Sequence, residues 1–206
     1  VSGEFNIQTV RLNEETAGEA NIGGIVAYNS SGTVTRSANH AAISVSGDPK
    51  LCFNMGGIAG WSEGDADEYG EYFARIEDCY NAGVLSVSGT LWLAGGVVGV
   101  NMEYSEVSTS YNITDIQLLG EPDPDELSIV GGVLGINEGV VSSCYYLDEG
   151  DILLGVGNKA SDDPDNTENT KKLSGEQMQD ASNFAGFDFE GIWQIGEGTY
   201  PYPVLR

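Results

Sequence analysis

A short glycine-rich pattern occurs four times in this chain, and it limits the possible folds more than any other feature. Each copy has two adjacent glycines, an aliphatic stretch and, in three copies, an asparagine. The copies begin at Gly23, Gly56, Gly95 and Gly131. Successive second glycines lie 33, 39 and 36 residues apart, and they are Gly24, Gly57, Gly96 and Gly132. A period of this length is typical of a stacked repeat array.

A second element follows every glycine pair at a corresponding offset, and a third element follows the first three. Copies of the second element are Ser37-Ala38-Asn39, Cys79-Tyr80-Asn81, Ser110-Tyr111-Asn112 and Cys144-Tyr145-Tyr146. The third element alternates apolar and polar residues, and its copies are 43–47, 85–89 and 116–120. Such alternation is typical of a β-strand with one buried face. Each repeat therefore predicts three short strands.

The repeats predict an all-β fold, a parallel β-solenoid of about four coils over residues 1–147. One unit cannot bury its own apolar side, whereas stacked units align equivalent side chains about 4.8 Å apart along a common core. The glycine pairs suit corners where backbones approach closely. The recurrent amides suit bends at which each bonds the same amide of the next coil, and they are Asn39, Asn81 and Asn112.

The remaining segment, 148–206, lacks the period and is expected to close the array. Residues 148–170 are polar and acidic and predict a loop. Ser174 and Gln177 have the spacing of a capping box, which predicts a short helix ending near Asn183. The aromatic residues that follow predict a C-terminal cap over the open end of the core.

The N-terminal segment, with Phe5, Ile7 and Val10, predicts part of an earlier coil, so we expect the natural protein to extend upstream. No signal peptide with a basic segment and an apolar segment precedes Val1, so the sequence leaves the cellular location of the protein open. No uncharged apolar run reaches the roughly 18 residues of a membrane helix, so no transmembrane segment is expected. With 8 Lys+Arg against 32 Asp+Glu, the net charge of −24 repels a phosphate backbone, and nucleic acid is not an expected partner.

The three cysteines do not suggest a disulfide framework. Cys79 and Cys144 occupy equivalent offsets two coils apart, with Ser110 between them. Stacking would separate their Cα atoms by roughly 9 to 10 Å, which is beyond disulfide reach. We expect both to be free in a ladder of small residues, while Cys52 lies outside the pattern.

Few residues suit catalysis. The single histidine, His40, excludes a metalloprotease helix with two histidine ligands and is expected to be a turn residue. Parallel β-helices that cleave acidic sugars need clustered basic groups, and here only Arg36 and Arg75 lie on or beside the repeat strands. No catalytic or cofactor-binding residue is assigned, and this fragment is not expected to be an enzyme. The 32 acids nevertheless leave a glycosidase-type carboxylate pair open.

Two acidic clusters are weak candidates for Ca²⁺, which takes oxygen ligands. Asp65 and Asp67 have the opening spacing of a calcium loop, but Ile76 replaces its closing glutamate. The second cluster contains Asp162, Asp163 and Asp165. Solvated acidic loops without a metal are the expected alternative.

Aromatic residues also recur along the repeats, and they are Tyr28, Trp61, Tyr80, Tyr111 and Tyr145. We expect them to pack against one another from coil to coil. An exposed stripe that binds sugar or protein is the alternative.

The glycine pair, the Tyr-Asn element and the alternating Ser-Val-Ser-Gly element together resemble the GLUG-motif repeat family. The resemblance covers roughly residues 20–206, with Ala38 and Tyr146 as departures in the first and last copies. The family occurs in bacterial surface and secreted proteins, including relatives of immunoglobulin-A-cleaving proteases and adhesin-like proteins. The resemblance implies the β-solenoid region of an exported, extracellular or cell-surface protein.

These features predict a non-catalytic repeat module that serves as a stalk or an adhesin-like binding scaffold. Its inserted acidic loops would face a host or matrix protein or a glycan. Two alternatives stay open: an accessory segment of a large exported protease or glycosidase, and a β-helix that degrades polysaccharide.

Overall fold

The structure of this chain is a computed structural model that describes residues 2–9, 18–47, 51–87, 92–119, 128–148 and 153–206. Strands account for 54% and helical turns for 7%, so the predicted all-β class is confirmed. Among the described residues, no helix is long and apolar enough to cross a membrane. We refer to 18–47, 51–87, 92–119 and 128–148 as repeat units 1, 2, 3 and 4.

Each unit contributes a similar series of short strands. Strand β1 (Ser2–Thr9) precedes unit 1, which contains β2 (Gly18–Gly23), β3 (Val26–Ser30), β4 (Thr33–Thr35) and β5 (Ala38–Gly47). Unit 2 contains β6 (Leu51–Gly56), β7 (Ala59–Glu63), β8 (Asp65–Asp67), β9 (Gly70–Tyr72), β10 (Ala74–Glu77), β11 (Tyr80–Asn81) and β12 (Leu85–Val87). Unit 3 contains β13 (Trp92–Gly95), β14 (Val98–Asn101), β15 (Ser105–Ser108), β16 (Tyr111–Asn112) and β17 (Ile116–Leu118).

Unit 4 and the C-terminal segment complete the series. Unit 4 contains β18 (Ile129–Gly131), β19 (Leu134–Asn137), β20 (Val140–Ser142) and β21 (Cys144–Leu147). After it come a π-helical turn (Asp165–Asn169), β22 (Thr170–Leu173), two 3-10 turns (Gln177–Gln179 and Ala181–Asn183), β23 (Trp193–Ile195) and β24 (Pro203–Leu205).

Equivalent strands of successive units pair in parallel and form several separate sheets. Three four-stranded sheets have the orders β18-β13-β6-β2, β19-β14-β7-β3 and β20-β15-β10-β4. An eight-stranded sheet has the order β17-β12-β5-β11-β16-β21-β22, with β1 also paired to β5. Two antiparallel pairs, β8–β9 and β23–β24, complete the described strands.

The sequence repeat and the strand register coincide. The first glycines of the four motifs pair from unit to unit and form one row, which consists of Gly23, Gly56, Gly95 and Gly131. At the N-terminus, β1 pairs with β5 in the register expected of a third-element strand, with Phe5 opposite Ile43. Val10 lies outside the described residues.

Alternation within the strands fills the core. Ile43 and Val45 are buried together with Leu85 and Val87, which lie opposite them in the next unit. Burial of each such side chain stabilises the fold by roughly 1.5–3 kcal/mol relative to exposure. A second aliphatic cluster contains Ile58, Val97 and Val133, each of which follows a glycine pair. The core is thus built from equivalent positions of neighbouring units.

A row of left-handed backbone conformations forms one corner of every unit. Four residues at equivalent offsets have φ between 42° and 52°, and they are Arg36, Asp78, Thr109 and Ser143. None of them is glycine, although left-handed φ is unfavourable for residues with a Cβ. The corner that precedes β4 and β15 has this conformation at Ser31 and Tyr104.

Backbone pairing continues beyond unit 4 within the segment that the sequence predicts as a loop up to Thr170, where the described residues otherwise form turns, bends and one π-helical turn. The amide of Gly132 donates to Leu154 O at 2.8 Å, Val133 N donates to Gly155 O at 2.9 Å, and Leu134 bridges Val156 in parallel. Strand β22 then pairs in parallel with β21. This partial copy lacks the adjacent glycines that mark the other four, so the pattern does not reveal it.

The predicted capping box is present, but the predicted helix is not continuous. Ser174 N donates to Gln177 Oε1 at 2.9 Å, and Gln177 N donates to Ser174 Oγ at 3.2 Å. Asp180 has extended φ and ψ, and its side chain accepts a bond from Ser182 N. The chain therefore makes two separate 3-10 turns, because Asp180 ends the first turn and caps the second.

Candidate functional site

Three buried asparagines form a continuous side-chain ladder, which we call the first ladder. Asn39 Nδ2 donates to Asn81 Oδ1, and Asn81 Nδ2 donates to Asn112 Oδ1, both at 2.9 Å. Each amide also bonds its own backbone two residues later, as Asn39 does through Ala41 N at 2.9 Å and Ala41 O at 3.0 Å. The first ladder therefore holds both the bend of each unit and the contact between units.

The second glycine of each motif makes room for this ladder. A Cβ added at Gly24 would lie 2.6 Å from Asn39 Cγ, and Cβ atoms at Gly57 and Gly96 would come closer to the next two carboxamides. In unit 4, Gly132 lies against the ring of Tyr146, which occupies the position of the asparagine. This contact explains why the last copy keeps its glycine pair although it lacks the asparagine.

A second polar ladder follows the ends of β3, β7, β14 and β19, and the sequence pattern did not assign it a role. Asn29 Nδ2 donates to Ser62 Oγ at 3.1 Å, and Asn101 Nδ2 donates to Asn137 Oδ1 at 2.7 Å. Between these pairs the ladder is interrupted, because Ser62 Oγ contacts Ser105 Oγ at 2.8 Å. The buried Asn101 Oδ1 has no hydrogen-bond partner among the described residues.

Cys79 and Cys144 are free, as predicted, and Cys52, for which no prediction was made, is free as well. Cys79 and Cys144 are buried in one row with Ser110, whose Oγ accepts a bond from Cys79 N at 3.1 Å. Burial raises the pKa of the Cys79 and Cys144 thiols to about 12 and that of Cys52 to about 11. Thiols with such a pKa are protonated at neutral pH, so they are poor nucleophiles.

Tyr80, Tyr111 and Tyr145 form one row, which we call the tyrosine row, and all three are buried rather than exposed. The rings of Tyr80 and Tyr111 stack with centroids 5.1 Å apart, and Trp193 packs against both. Phe184 lies against the rings of Tyr111 and Tyr145. The aromatic C-terminal residues thus pack across units 2, 3 and 4 along the row, whereas 153–173 extend the strand pairing after unit 4.

His40 belongs to the same aromatic cluster. Its Nε2 lies 2.9 Å from the hydroxyl of Tyr80, and its ring makes edge contacts with Tyr80 and Tyr200. Partial burial lowers the pKa of His40, which favours the neutral ring. His40 lies within strand β5 and is exposed, so the predicted turn position is wrong, and these are the contacts of a surface strand residue packed against aromatic rings.

The acidic candidates for Ca²⁺ use their oxygens in local turns. Asp67 Oδ1 accepts from Tyr69 N at 2.7 Å, while Asp65 Oδ1 accepts from Ala66 N at 2.8 Å. In the described part of the chain, no three His, Cys, Asp or Glu side chains are grouped so that they could hold a metal ion.

The second acidic cluster is also committed to local contacts. Asp163 Oδ1 accepts from Asp165 N at 2.9 Å, and Asp165 Oδ2 accepts from Asn137 Nδ2 at 2.7 Å, at the end of the second ladder. Asp162 is exposed.

A cavity of about 440 Å³ lies where the β8–β9 hairpin leaves unit 2 and meets unit 3. Its lining residues are Ser30, Glu63, Gly64, Asp65, Met102, Glu103 and Tyr104. The Glu63 carboxylate accepts bonds from the Tyr28 hydroxyl and from Trp61 Nε1, the latter at 2.8 Å. We call this region the hairpin pocket. Tyr28 and Trp61, the two recurrent aromatics outside the tyrosine row, bond to one of its lining residues and do not line it themselves.

Comparisons with known proteins identify no relative of this chain: no family model, no curated protein and no solved structure matches it.

Proposed function

We propose that the repeat units wind as a parallel β-solenoid of about four coils that serves as a rigid, non-catalytic scaffold. The observation that carries this proposal is the register, which sets each repeat strand opposite its equivalent in the next unit. Such stacking gives each unit most of its contacts with its immediate neighbours. A scaffold of this kind keeps inserted loops at fixed positions on its surface.

A duplicated unit tests the solenoid directly. A second copy of residues 92–127, inserted after residue 127, should add one coil between units 3 and 4. We expect the longer chain to fold and to have a higher urea midpoint, because nearest-neighbour contacts increase. A longer chain that aggregates or unfolds at lower urea would argue against stacking in a solenoid.

We further propose that this scaffold belongs to an exported protein of the GLUG-motif type and that it acts as an adhesin-like module at a bacterial surface or outside the cell. The β8–β9 hairpin supports a display role, since Tyr69 and Tyr72 are exposed at its tip and end. Exposed aromatic residues on a rigid support are frequent in binding surfaces.

Binding screens against matrix proteins and glycans test this role. A matched variant would replace residues 66–71 with a Gly-Ser linker of equal length. We expect at least one ligand to bind the intact chain and not the variant, while the urea midpoints of the two proteins stay similar. If both proteins bind nothing, the module is a stalk and the adhesin-like proposal is wrong.

A further inference from the structure

We propose that the hairpin pocket binds an arginine or lysine side chain of a basic partner segment. This inference rests on the proposed display function and names the partner chemistry. The pocket is an open cavity of about 440 Å³ that can take one long side chain, and Met102 and Tyr104 line it together with the acidic residues Glu63, Asp65 and Glu103. An amphipathic cationic side chain needs both kinds of surface, since its stem is apolar and its tip is charged.

The carboxylates of the pocket are available to such a partner. Glu63, Asp65 and Glu103 line it, and none of them forms a salt bridge with a cation among the described residues. Glu63 is oriented by Tyr28 and Trp61, whose donated bonds leave its negative charge in place. A pre-oriented carboxylate loses less conformational entropy on binding than a freely rotating one.

The neighbouring surface already accommodates a guanidinium in this way. Arg75 Cζ lies 5.6 Å from the centroid of the Phe73 ring, and Arg75 Nε is 3.6 Å from Glu106 Oε2. Phe73 in turn makes an edge contact with Tyr104, at 5.9 Å between centroids. The chain therefore binds one of its own arginines between an aromatic ring and a carboxylate beside the pocket.

A basic peptide fits this surface better than a metal ion or an anionic ligand. The net charge of −24 attracts cations at long range and repels nucleic acid and acidic sugars. The three carboxylates do not form a group that could hold a metal, whereas an extended guanidinium or ammonium can contact them separately.

The probe is the peptide acetyl-Gly-Arg-Gly-Arg-Gly-amide, titrated calorimetrically in 150 mM NaCl together with its Lys and Gln analogues. We expect the Arg and Lys peptides to bind and the Gln peptide to bind at least about tenfold more weakly, because only the charged peptides match the carboxylates. Equal binding of the Gln peptide, or no binding of the Arg peptide, would overturn the proposal.

A matched pair of variants separates the pocket from overall charge. E63Q/E103Q and E176Q/E190Q each remove two negative charges, but Glu176 and Glu190 are exposed residues outside the pocket. Glutamine at 63 keeps one acceptor oxygen, which can serve Trp61 Nε1, while its NH2 group can donate to the hydroxyl of Tyr28. We expect E63Q/E103Q to weaken Arg-peptide binding about tenfold or more, and E176Q/E190Q less than about twofold.

Two outcomes of this comparison reject the pocket. Equal weakening in both variants would mean non-specific attraction to an acidic protein. Displacement of the peptide by 2 mM CaCl₂ that MgCl₂ does not reproduce would instead indicate a calcium site. Either result leaves the unit-duplication test of the scaffold unaffected.

Discussion

The two polar ladders differ in units 2 and 4, and the difference in unit 2 shows what a continuous ladder requires. The first ladder has asparagine in units 1, 2 and 3, and every carboxamide oxygen accepts a bond. The second ladder has Ser62 in unit 2, and Asn101 Oδ1 of unit 3 accepts none from the described residues. A shorter side chain in one unit, such as Ser62, therefore interrupts a ladder of side-chain amides.

The small residues that surround each amide explain where the interruption occurs. Gly57 and Gly96 lie against the carboxamides of the first ladder. In the second ladder, Ala74 of unit 2 and Gly139 of unit 4 lie in register with Ser105 of unit 3. Ser105 bonds Ser62, whereas Gly139 leaves room for Asn101. Asparagine thus pairs with a small neighbour in the following unit, and serine pairs with serine.

The largest effect is expected for G57A. A Cβ at Gly57 would collide with the backbone oxygen of Gly96 and with the side chain of Asn81, which cannot move without breaking the first ladder. We expect a loss of about 3 kcal/mol or more in unfolding free energy, measured by urea denaturation. The matched variant is G32A, whose Cβ would meet only the Asn29 carboxamide within 3.5 Å. Equal losses would show that glycine at 57 is not required by the ladder.

The next largest loss of unfolding free energy is expected when an asparagine of a ladder is replaced by alanine. N81A removes bonds to Asn39, Asn112 and the Gly83 backbone, whereas N101A removes a bond to Asn137 and a longer one to Val140 O. We expect losses of about 3 kcal/mol for N81A and about 1 kcal/mol for N101A, because N81A leaves more buried groups unpaired. Urea denaturation of both variants checks this order, and the reverse order would contradict the comparison.

An asparagine at position 62, which would make the second ladder continuous, should raise the unfolding free energy by a smaller amount. In S62N/S105A the new carboxamide can donate to Asn101 Oδ1, and alanine at 105 reproduces the small residue at 74. We expect the double variant to be about 1 kcal/mol more stable than S105A alone, since a buried acceptor gains a partner. S62N alone should gain less, because Ser105 occupies the space. A double variant that is no more stable than S105A would refute the pairing rule.

The smallest effect is expected at the left-handed corner that precedes the first ladder. Arg36 has φ of 48°, a conformation that asparagine tolerates better than other residues with a Cβ. We expect R36N to raise the unfolding free energy by about 0.5 kcal/mol relative to R36Q. R36Q is the control because it removes the same charge without favouring this conformation. Thermal unfolding of the pair measures the difference, and equal midpoints would argue against strain at this corner.

Spacing alone predicted the features that depend on equal offsets. The row of first glycines, the stacking of Asn39 on Asn81 and the row that contains Cys79 and Cys144 all follow from aligned copies. Each of these features uses one position of the unit, so the repeat specifies it three or four times. The parallel pairing then follows, because one unit cannot bury its apolar face alone.

Features that join non-equivalent positions could not be predicted in the same way. The hairpin pocket combines an insertion in unit 2 with Tyr104, which belongs to the regular part of unit 3. Where the aromatic tail packs depends on how the chain returns after residue 173, and the repeat contains no information about that path. The second ladder was not predicted, because the second copy of the glycine motif ends in Ser62 where the other three copies end in asparagine.

The hydrogen bonds of both ladders have a common direction, and this direction has a consequence for how arrays of this kind can grow. Every bond between two amides is donated to the following unit, and the last amide of the second ladder, Asn137, donates to the carboxylate of Asp165, which only accepts. The series of donated side-chain bonds in the second ladder therefore ends at Asp165. A new unit that brings its own asparagine can join ahead of unit 1 with its donor facing forward. Extension past Asp165 would first require this acid to be replaced by a group that can both accept and donate.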